Sequence, residues 1–237
     1  MAASKRSPKN AVAKLLKADA AVAKAARPHR RNRAVRLLDH VADLGDQPQL
    51  RMLCAAVIAA GLAGGDGRLA RTGLRMLAAH SLATAAKDFV KRRIDRTRPR
   101  SAGKRGKDHR LAPGDSEAKE ETSFPSGHSA GAAAVARAFA RDYPEHAGPA
   151  YAAAGALALA QIPRCAHYPT DVGAGLAIGV AAEAAVDAVL RYGLRQAQSL
   201  PGMSDMVLAL PAHPEQPLSL TKRRIEGARL APGAACA

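Results

Sequence analysis

Apolar residues along the chain fall into Ala- and Leu-rich segments that are separated by glycine, proline and charged residues. No clear run alternates β-branched or aromatic residues with polar ones, as a half-buried strand would, whereas long apolar segments with few breakers favour helix. The pattern therefore predicts an all-α protein, a helical bundle of about five to six helices. These helices are expected near residues 34–44, 50–63, 69–94, 126–142, 149–161 and 169–196, with a further possible helix at 11–26.

Outside the bundle, the two ends of the chain have a different composition. Residues 1–33 are basic and Ala-rich, and we expect a flexible arm there. Residues 198–237 contain many prolines and few periodic apolar positions, which predicts a disordered tail. Residues 34–197 are then expected to form one folded domain. A polar loop is predicted at 96–122, between two of the helices.

Composition bears on whether the bundle lies in a membrane. Hydrophobic residues make up 48% of the chain but aromatics only 3%, so the apolar content is mostly alanine. A bilayer span needs about 20 mostly apolar residues. The segments 50–65, 149–163 and 172–190 approach that length. We expect a membrane-embedded or membrane-associated bundle, and a soluble bundle remains the alternative.

The formal net charge of +16 is concentrated in residues 5–36 and 91–110. Such blocks are typical of solvated tails or of contacts with anionic surfaces. The chain lacks helix-turn-helix, zinc-finger and stacking-aromatic patterns, so membrane lipid is a better candidate partner than nucleic acid.

Three short motifs carry side chains suited to phosphoryl transfer, which needs fixed cations and N–H donors around the phosphate oxygens. In the first, Lys91 and Arg98-Pro99 place two cations with six residues between them, so that both can close on one anion. A solvated basic run explains the same residues when they are considered alone.

The second motif is Pro125-Ser126-Gly127-His128, which precedes an Ala-rich helix. Ser126 can cap that helix, Gly127 lets the backbone approach a phosphate, and His128 can serve as general acid. An ordinary turn before a helix has the same pattern.

The third motif comprises Arg164, His167 and Asp171. If Asp171 accepts a hydrogen bond from His167 Nδ1, the other ring nitrogen is free to attack phosphorus and form a phosphohistidine. A surface histidine followed by a helix-end carboxylate is the simpler explanation of this pair.

The order and approximate spacing of the three motifs resemble the signature of the type 2 phosphatidic acid phosphatase (PAP2)/vanadium haloperoxidase superfamily. The resemblance extends from about Leu50 to Arg191 and assigns residues 34–197 to a PAP2-like domain. It implies a metal-independent enzyme without a cofactor. In the roles it implies, His167 is the nucleophile, Asp171 orients it, His128 is the acid, and the phosphate is bound by Lys91, Arg98, Ser126, Gly127 and Arg164.

One position departs from the family pattern. The family usually has an arginine six residues before the nucleophilic histidine, where this chain has Gln161. Arg164, three residues before His167, is the available substitute, and Gln161 itself can donate only a neutral hydrogen bond. Losing one charge-assisted contact costs about 1.5–3 kcal/mol, so a slower enzyme is expected.

The resulting hypothesis is a phosphatase acting on a phosphomonoester or diphosphate, most plausibly lipid-linked: phosphatidic acid, phosphatidylglycerophosphate or an isoprenyl diphosphate. An integral protein of a bacterial-type inner membrane is expected, with a soluble or peripheral form left open. Two alternatives remain. One is a vanadate-dependent haloperoxidase, although such enzymes are usually larger; the other is a non-catalytic basic protein that binds anionic lipid or nucleic acid.

Overall fold

The computed structural model describes residues 8–102 and 109–198. The described residues up to 192 pack as one unit, and of a second unit that begins at 193 only residues 193–198, the C-terminal end of the last helix, are described. The described residues contain seven α-helices, which confirms the all-α prediction with one or two more helices than expected. These are α1 Pro8–Ala26, α2 Arg33–Asp43, α3 Gln47–Ala63, α4 Gly67–Lys91, α5 Gly127–Asp142, α6 Ala147–Leu159 and α7 Pro169–Gln198.

Local capping sets several of the helix starts. The side chain of Asn32 accepts a hydrogen bond from Ala34 N at the start of α2, and Asp66 accepts one from Leu69 N at 3.0 Å at the start of α4. Ser126 caps α5, and α7 begins at Pro169, a favoured first position because proline has no N–H to leave unpaired. These boundaries agree with the sequence prediction because capping is a local property.

The core lies between α3, α4, α5 and α7 and is built mainly from alanine. Small residues let α7 approach α5 closely: a Cβ atom at Gly179 would lie 2.3 Å from the carbonyl oxygen of Ala130, and one at Gly175 would lie 2.4 Å from that of Ser126. Because the two backbones almost touch, the N-terminal end of α7 is held against the N-terminal end of α5. This contact brings the second and third motifs together.

The segment predicted to be a polar loop contains a short hairpin. Strand β1, Ile94–Arg96, pairs antiparallel with strand β2, Leu111–Pro113. The N–H of Arg96 donates to the carbonyl oxygen of Glu121 at 2.6 Å, and the N–H of Arg98 donates to that of Glu120 at 2.7 Å. Three-residue strands carry no readable periodicity, which is why the sequence did not predict them. Their effect is to fix the backbone of the first motif.

The structure differs from the expected flexible arm at residues 8–31. These residues form α1 and a 3-10 turn, Arg27–Arg31. Asp19 on α1 is buried, with 2% of its surface exposed, and Arg27 donates to the carbonyl oxygens of Pro99 at 3.3 Å and of Ala102. The composition did not predict this packing. One aspartate among several lysines leaves the segment basic overall, and a basic segment is usually exposed to solvent. The predicted disordered tail lies almost wholly outside the described residues.

Among the described residues, α7 is the one helix long and apolar enough to cross a membrane, with an 18-residue window of mean hydropathy 1.6. It contains the candidate span 172–190. The candidates 50–65 and 149–163 fall on α3 and α6, which have 17 and 13 residues. Both are shorter than the roughly 20 residues that a span requires.

Candidate active site

A cavity of about 320 Å³ lies where α4 ends and α5 begins, beside the loop that precedes α7. Six of the eight predicted site residues line it, and the two others, Ser126 and Asp171, are fully buried behind its wall. The three motifs therefore meet at one place. The six lining residues are Lys91, Arg98, Gly127, His128, Arg164 and His167.

Backbone carbonyls hold the two cations of the first motif. Lys91 Nζ donates to the carbonyl oxygen of Thr122 at 3.1 Å, and Arg98 Nη2 donates to the same oxygen at 3.2 Å. Arg98 also donates to the carbonyl oxygens of Lys119 at 2.6 Å and Ala166 at 3.2 Å. The guanidinium is thus oriented before any ligand binds, which is the arrangement that favours transition-state stabilisation.

Burial and mutual repulsion shift the pKa values of these cations. Burial, with the charges of Arg98 and Lys87 nearby, lowers the pKa of Lys91 to about 8. Burial and the neighbouring Arg100 lower the pKa of Arg98 to about 10. A bound anion would relieve both effects, so the cavity is electrostatically suited to phosphate.

The cavity is also lined by cationic side chains that the sequence did not identify as phosphate ligands. Lys87 lies one helical turn before Lys91, and a Cβ at Gly127 would lie 3.2 Å from its Cδ atom. The four-residue spacing on α4 was the signal that could have identified it. The other such cations at the cavity are Arg100 and Lys119.

Ser126 was predicted to bind phosphate directly, but its side chain is fully buried and does not line the cavity. Its hydroxyl accepts hydrogen bonds from Ser129 N at 3.4 Å and from Ser129 Oγ at 2.9 Å, and its own N–H donates to the carbonyl oxygen of Asp171 at 3.0 Å. These contacts occupy it as a helix cap and as a link to α7, so the prediction of a direct phosphate ligand is not supported. Gly127 and His128, the first two residues of α5, do face the cavity, at the positive end of that helix.

His128 is paired with a carboxylate from the start of α3. Its Nε2 lies 2.9 Å from Oδ1 of Asp46. Burial lowers the pKa of His128 below its ordinary value, and the Asp46 carboxylate opposes that shift. A general acid must carry its proton when the leaving group departs, so Asp46 favours the required form.

His167 is almost fully buried, and its Nδ1 lies 2.7 Å from the carbonyl oxygen of Ser123. The carboxylate of Asp171 is farther away, with Oδ2 at 3.7 Å from the same nitrogen. The expected direct hydrogen bond between His167 and Asp171 is therefore replaced by one to a backbone carbonyl. A carbonyl can only accept, so Nδ1 carries the proton and Nε2 keeps its lone pair.

Burial also lowers the pKa of His167 to about 4. The imidazole is therefore neutral over most of the physiological range. A neutral ring with an unprotonated nitrogen is the form that can act as a nucleophile.

Asp171 supports His167 indirectly. It accepts hydrogen bonds from Ser123 Oγ at 2.6 Å and from the N–H of Tyr168 at 2.9 Å, and it forms an ion pair with Arg96 Nη1 at 2.5 Å. By holding Ser123, the carboxylate fixes the carbonyl that orients His167. Neither Ser123 nor Arg96 was singled out from the sequence, because their roles depend on contacts 48 and 75 residues away along the chain.

Arg164 reaches the cavity already paired with acids of α2. Its Nε lies 2.5 Å from Asp39 Oδ1, and its Nη2 lies 3.3 Å from Asp43 Oδ1. Its Nη1 is buried and has no hydrogen-bond partner within the part of the chain that the structure describes. Gln161, at the position of the usual arginine, also lines the cavity, and its Nε2 donates to the carbonyl oxygen of Leu157 at 3.1 Å.

Fold and site together define a helical protein with a cation-lined cavity, two histidines and a buried carboxylate, which suits phosphoryl chemistry. The family model described as the PAP2 superfamily matches residues 72–192, about half of the chain. The chain belongs to the PAP2 superfamily, as the three motifs predicted.

A solved structure supports the fold assignment. It is the crystal structure of a transmembrane PAP2-type phosphatidylglycerolphosphate phosphatase from Bacillus subtilis. The TM-score is 0.53 at 22% sequence identity, and the alignment covers 77% of this chain and 88% of the other. No curated protein matches the chain at a significant level.

Proposed function

We propose that the protein is a lipid phosphatase that hydrolyses a phosphomonoester or diphosphate through a phosphohistidine at His167. The observation that carries the proposal is the convergence of a neutral His167, a carboxylate-paired His128 and the cations Lys91 and Arg98 on one cavity. Membership in the PAP2 superfamily supports the class of enzyme, a phosphoric ester hydrolase.

In the first step, His167 Nε2 attacks phosphorus while the bond between phosphorus and the leaving oxygen breaks. His128 gives its proton to that oxygen, so a phosphomonoester releases an alcohol and a diphosphate releases a protonated phosphomonoester. In the second step, His128 takes a proton from water as the water attacks the phosphohistidine. This step releases inorganic phosphate and regenerates both histidines.

The cations stabilise the charge that builds on the phosphate oxygens in each step. Lys91 and Arg98 are fixed by carbonyls, so they need no reorganisation during the reaction. Lys87, which is buried, adds a third cation at the same wall. Since the charge is supplied by side chains, we expect activity to persist in the presence of a chelator.

An apolar groove of about 250 Å³ supports a lipid-linked substrate. It lies along α3, α5 and α6 and is lined only by apolar side chains. The groove residues Leu50, Ala132 and Leu157 each lie three or four positions along the chain from a residue that lines the cavity. The corresponding cavity residues are Gln47, His128 and Gln161. A hydrocarbon chain attached to a phosphate in the cavity could therefore continue into the groove.

Exposed apolar surface supports association with a membrane. α6 contains no charged residue, yet only Ala154 and Ala158 along it are buried. Met52 and Leu62 on α3 are 71% and 70% exposed. A helix that is apolar on all sides needs an apolar environment, and lipid would provide one. We propose that this face contacts a membrane, and a bacterial inner membrane remains the prediction.

The test is release of inorganic phosphate by the purified protein in detergent, with EDTA present, from phosphatidic acid, phosphatidylglycerophosphate, an isoprenyl diphosphate and an aryl phosphate. Wild type is compared with His167→Ala and with His146→Ala, a matched change at an exposed histidine. We expect turnover in wild type and His146→Ala, and a loss of about a thousandfold or more in His167→Ala.

The intermediate is tested by acid and alkaline quenching after mixing with substrate labelled at the phosphate. A phosphohistidine is stable in alkali and lost in acid, and it should be absent from His167→Ala. Turnover that survives in His167→Ala would exclude the histidine mechanism. A folded wild type without turnover on any substrate would exclude the phosphatase.

A further inference from the structure

We propose that Asp19, on the N-terminal helix α1, is a positioning residue of the active site, which acts through Arg96 and Asp171 on His167. This inference rests on the proposed function for its kinetic readout. It assigns a role to a helix that lies outside the matched residues 72–192.

Asp19 is the one acidic residue of α1, which otherwise carries only lysines among its charged positions. Its carboxylate is turned away from solvent, with 3% of the side chain exposed. Burying a carboxylate is costly unless its oxygens are paired. The partners of Asp19 therefore explain why the helix packs at this place.

Both carboxylate oxygens of Asp19 are used at the start of α7. Oδ1 accepts a hydrogen bond from Thr170 N at 3.2 Å, and Oδ2 accepts one from Thr170 Oγ1. Thr170 is the second residue of α7, so Asp19 caps this helix from a different helix. The residue after Thr170 is Asp171, so the cap acts directly beside the buried carboxylate of the site.

Oδ2 of Asp19 also forms an ion pair with Arg96 Nη2 at 2.6 Å. The other terminal nitrogen of the same guanidinium, Nη1, pairs with Asp171 Oδ1 at 2.5 Å. Arg96 is thus held between two carboxylates, with 4% of its side chain exposed. The two carboxylates fix the guanidinium in both position and plane, because each pairs with a different terminal nitrogen of Arg96.

From Arg96 the contacts reach His167 by way of Ser123. Asp171 accepts from Ser123 Oγ at 2.6 Å, and the N–H of Ser123 donates to the carbonyl oxygen of Arg96 at 3.1 Å. The carbonyl oxygen of Ser123 then orients His167 Nδ1 at 2.7 Å. Without Asp19, one edge of Arg96 loses its buried partner, and a shift of Arg96 displaces Asp171 and Ser123 together.

The cations that bind the phosphate share only the carbonyl of Thr122, in the same peptide group as Ser123 N, with this chain of contacts, and Arg98 has two further carbonyl partners outside it. Lys91 and Arg98 are held by the carbonyls of Thr122, Lys119 and Ala166. Loss of Asp19 should therefore affect the reactivity of His167 more than the binding of substrate. This separation distinguishes a positioning role from general destabilisation.

The experiment compares Asp19→Ala and Asp19→Asn with wild type in full-length protein. The matched control is Asp66→Ala, which removes the aspartate that caps α4 away from the cavity. For each protein we would measure thermal unfolding in detergent, kcat and KM for phosphate release, and binding of orthovanadate by the shift in melting temperature. Asp19→Asn keeps the side-chain shape and removes only the charge, so the same measurements can be made on it if Asp19→Ala fails to fold.

We expect kcat to fall about ten- to a hundredfold in the Asp19 variants, with KM within about twofold of wild type. Vanadate, which bonds to an imidazole nitrogen, should bind more weakly by a similar factor. Asp66→Ala should also lose stability, as the removal of a helix cap does, and should keep both kcat and vanadate binding. Equal kcat losses in Asp19→Ala and Asp66→Ala, or an Asp19 effect confined to KM, would overturn the positioning role while leaving the proposed function intact.

If wild type releases no phosphate, the proposed function fails, and vanadate binding alone decides the role of Asp19. Weaker binding in the Asp19 variants than in Asp66→Ala then supports the positioning role. Binding that is equal in all variants, or absent from all of them, overturns it.

Discussion

Arg164 Nε lies 2.5 Å from Asp39 Oδ1, so the arginine three residues before the candidate nucleophile in the sequence is paired with an acid of α2. Asp43 lies 3.3 Å from another nitrogen of the same guanidinium. The carboxylates offset much of the charge that Arg164 presents to a phosphate. This arrangement accompanies Gln161 at the position where the family usually has an arginine, and it leaves Arg98 as the better-oriented guanidinium at the cavity.

The unequal roles of the two arginines can be measured. We expect Arg98→Gln to lower kcat/KM about a hundredfold, in line with a charge-assisted contact of about 1.5–3 kcal/mol. Arg164→Gln should lower it about tenfold or less, because Asp39 and Asp43 already compensate that charge. Equal losses in the two variants would show that Arg164 leaves its acids when substrate binds.

The pH dependence of kcat/KM should be bell-shaped, with an optimum in the acidic range. His167 must be unprotonated to attack, and burial lowers its pKa to about 4, so activity rises as the pH passes that value. His128 must be protonated to act as acid, and burial lowers its pKa below the ordinary 6.5, so activity falls before neutrality. Initial rates from pH 3 to pH 9 would check this; an optimum above pH 7 would contradict the roles assigned to the two histidines.

Asp46→Asn should move the alkaline limb of this profile to lower pH. The Asp46 carboxylate lies 2.9 Å from His128 and raises its pKa, so its removal lets the proton leave sooner. Glu117→Gln, at an exposed loop position, is the control and should leave the limb in place. Ionisation of the substrate is common to all variants and cancels in the comparison. An unchanged alkaline limb in Asp46→Asn would mean that His128 is not the acid.

Filling the apolar groove should affect lipid substrates selectively. Ala153 lines the groove from the exposed side of α6, and Ala153→Phe would take the space of about two methylene groups. At about 0.8 kcal/mol for each methylene, KM for phosphatidic acid should rise about tenfold. KM for an aryl phosphate should not change. Ala152→Phe, at an exposed position outside the groove, is the control. Equal effects on both substrates would show that the groove does not hold the lipid chain.

Glu183 is expected to contribute to stability without affecting catalysis. It is fully buried on α7 and accepts from Arg137 Nε and Arg141 Nε, each at 2.6 Å. Breaking a fully buried pair costs about 3–5 kcal/mol, but both arginines are partly exposed and can be solvated. We therefore expect Glu183→Gln to lower the free energy of unfolding by about 2 kcal/mol, measured by denaturant titration in detergent.

The site lies about 18 Å from Glu183 along α7, at 1.5 Å per residue, so kcat should stay near that of wild type. Glu145→Gln, which removes a surface ion pair with Arg68 at 3.7 Å, is the comparison and should cost less than about 1 kcal/mol. A Glu183 variant as stable as the Glu145 variant would show that the buried cluster contributes little.

Local sequence patterns predicted much of this protein. Alanine-rich periodicity, a Ser126 cap and Pro169 located α5 and α7, because helix starts depend on neighbouring residues. Six of the eight residues to which the family resemblance assigns a role line the cavity. Ser126 is not at the cavity, where a direct phosphate ligand would have to be. The sequence identified Ser126 as a helix cap, but it could not show whether the hydroxyl of that cap also faces a ligand.

Only the tertiary structure decided which groups support His167. The sequence contained Asp19, Arg96 and Ser123, but their contacts join positions 27 to 151 residues apart, and no periodicity records such pairing. It also could not show that α1 packs against the site, because the burial of one carboxylate depends on partners supplied by other elements. Local propensity therefore determined the helices and the type of chemistry, whereas close packing of small residues and pairing of buried charges determined the geometry of the site.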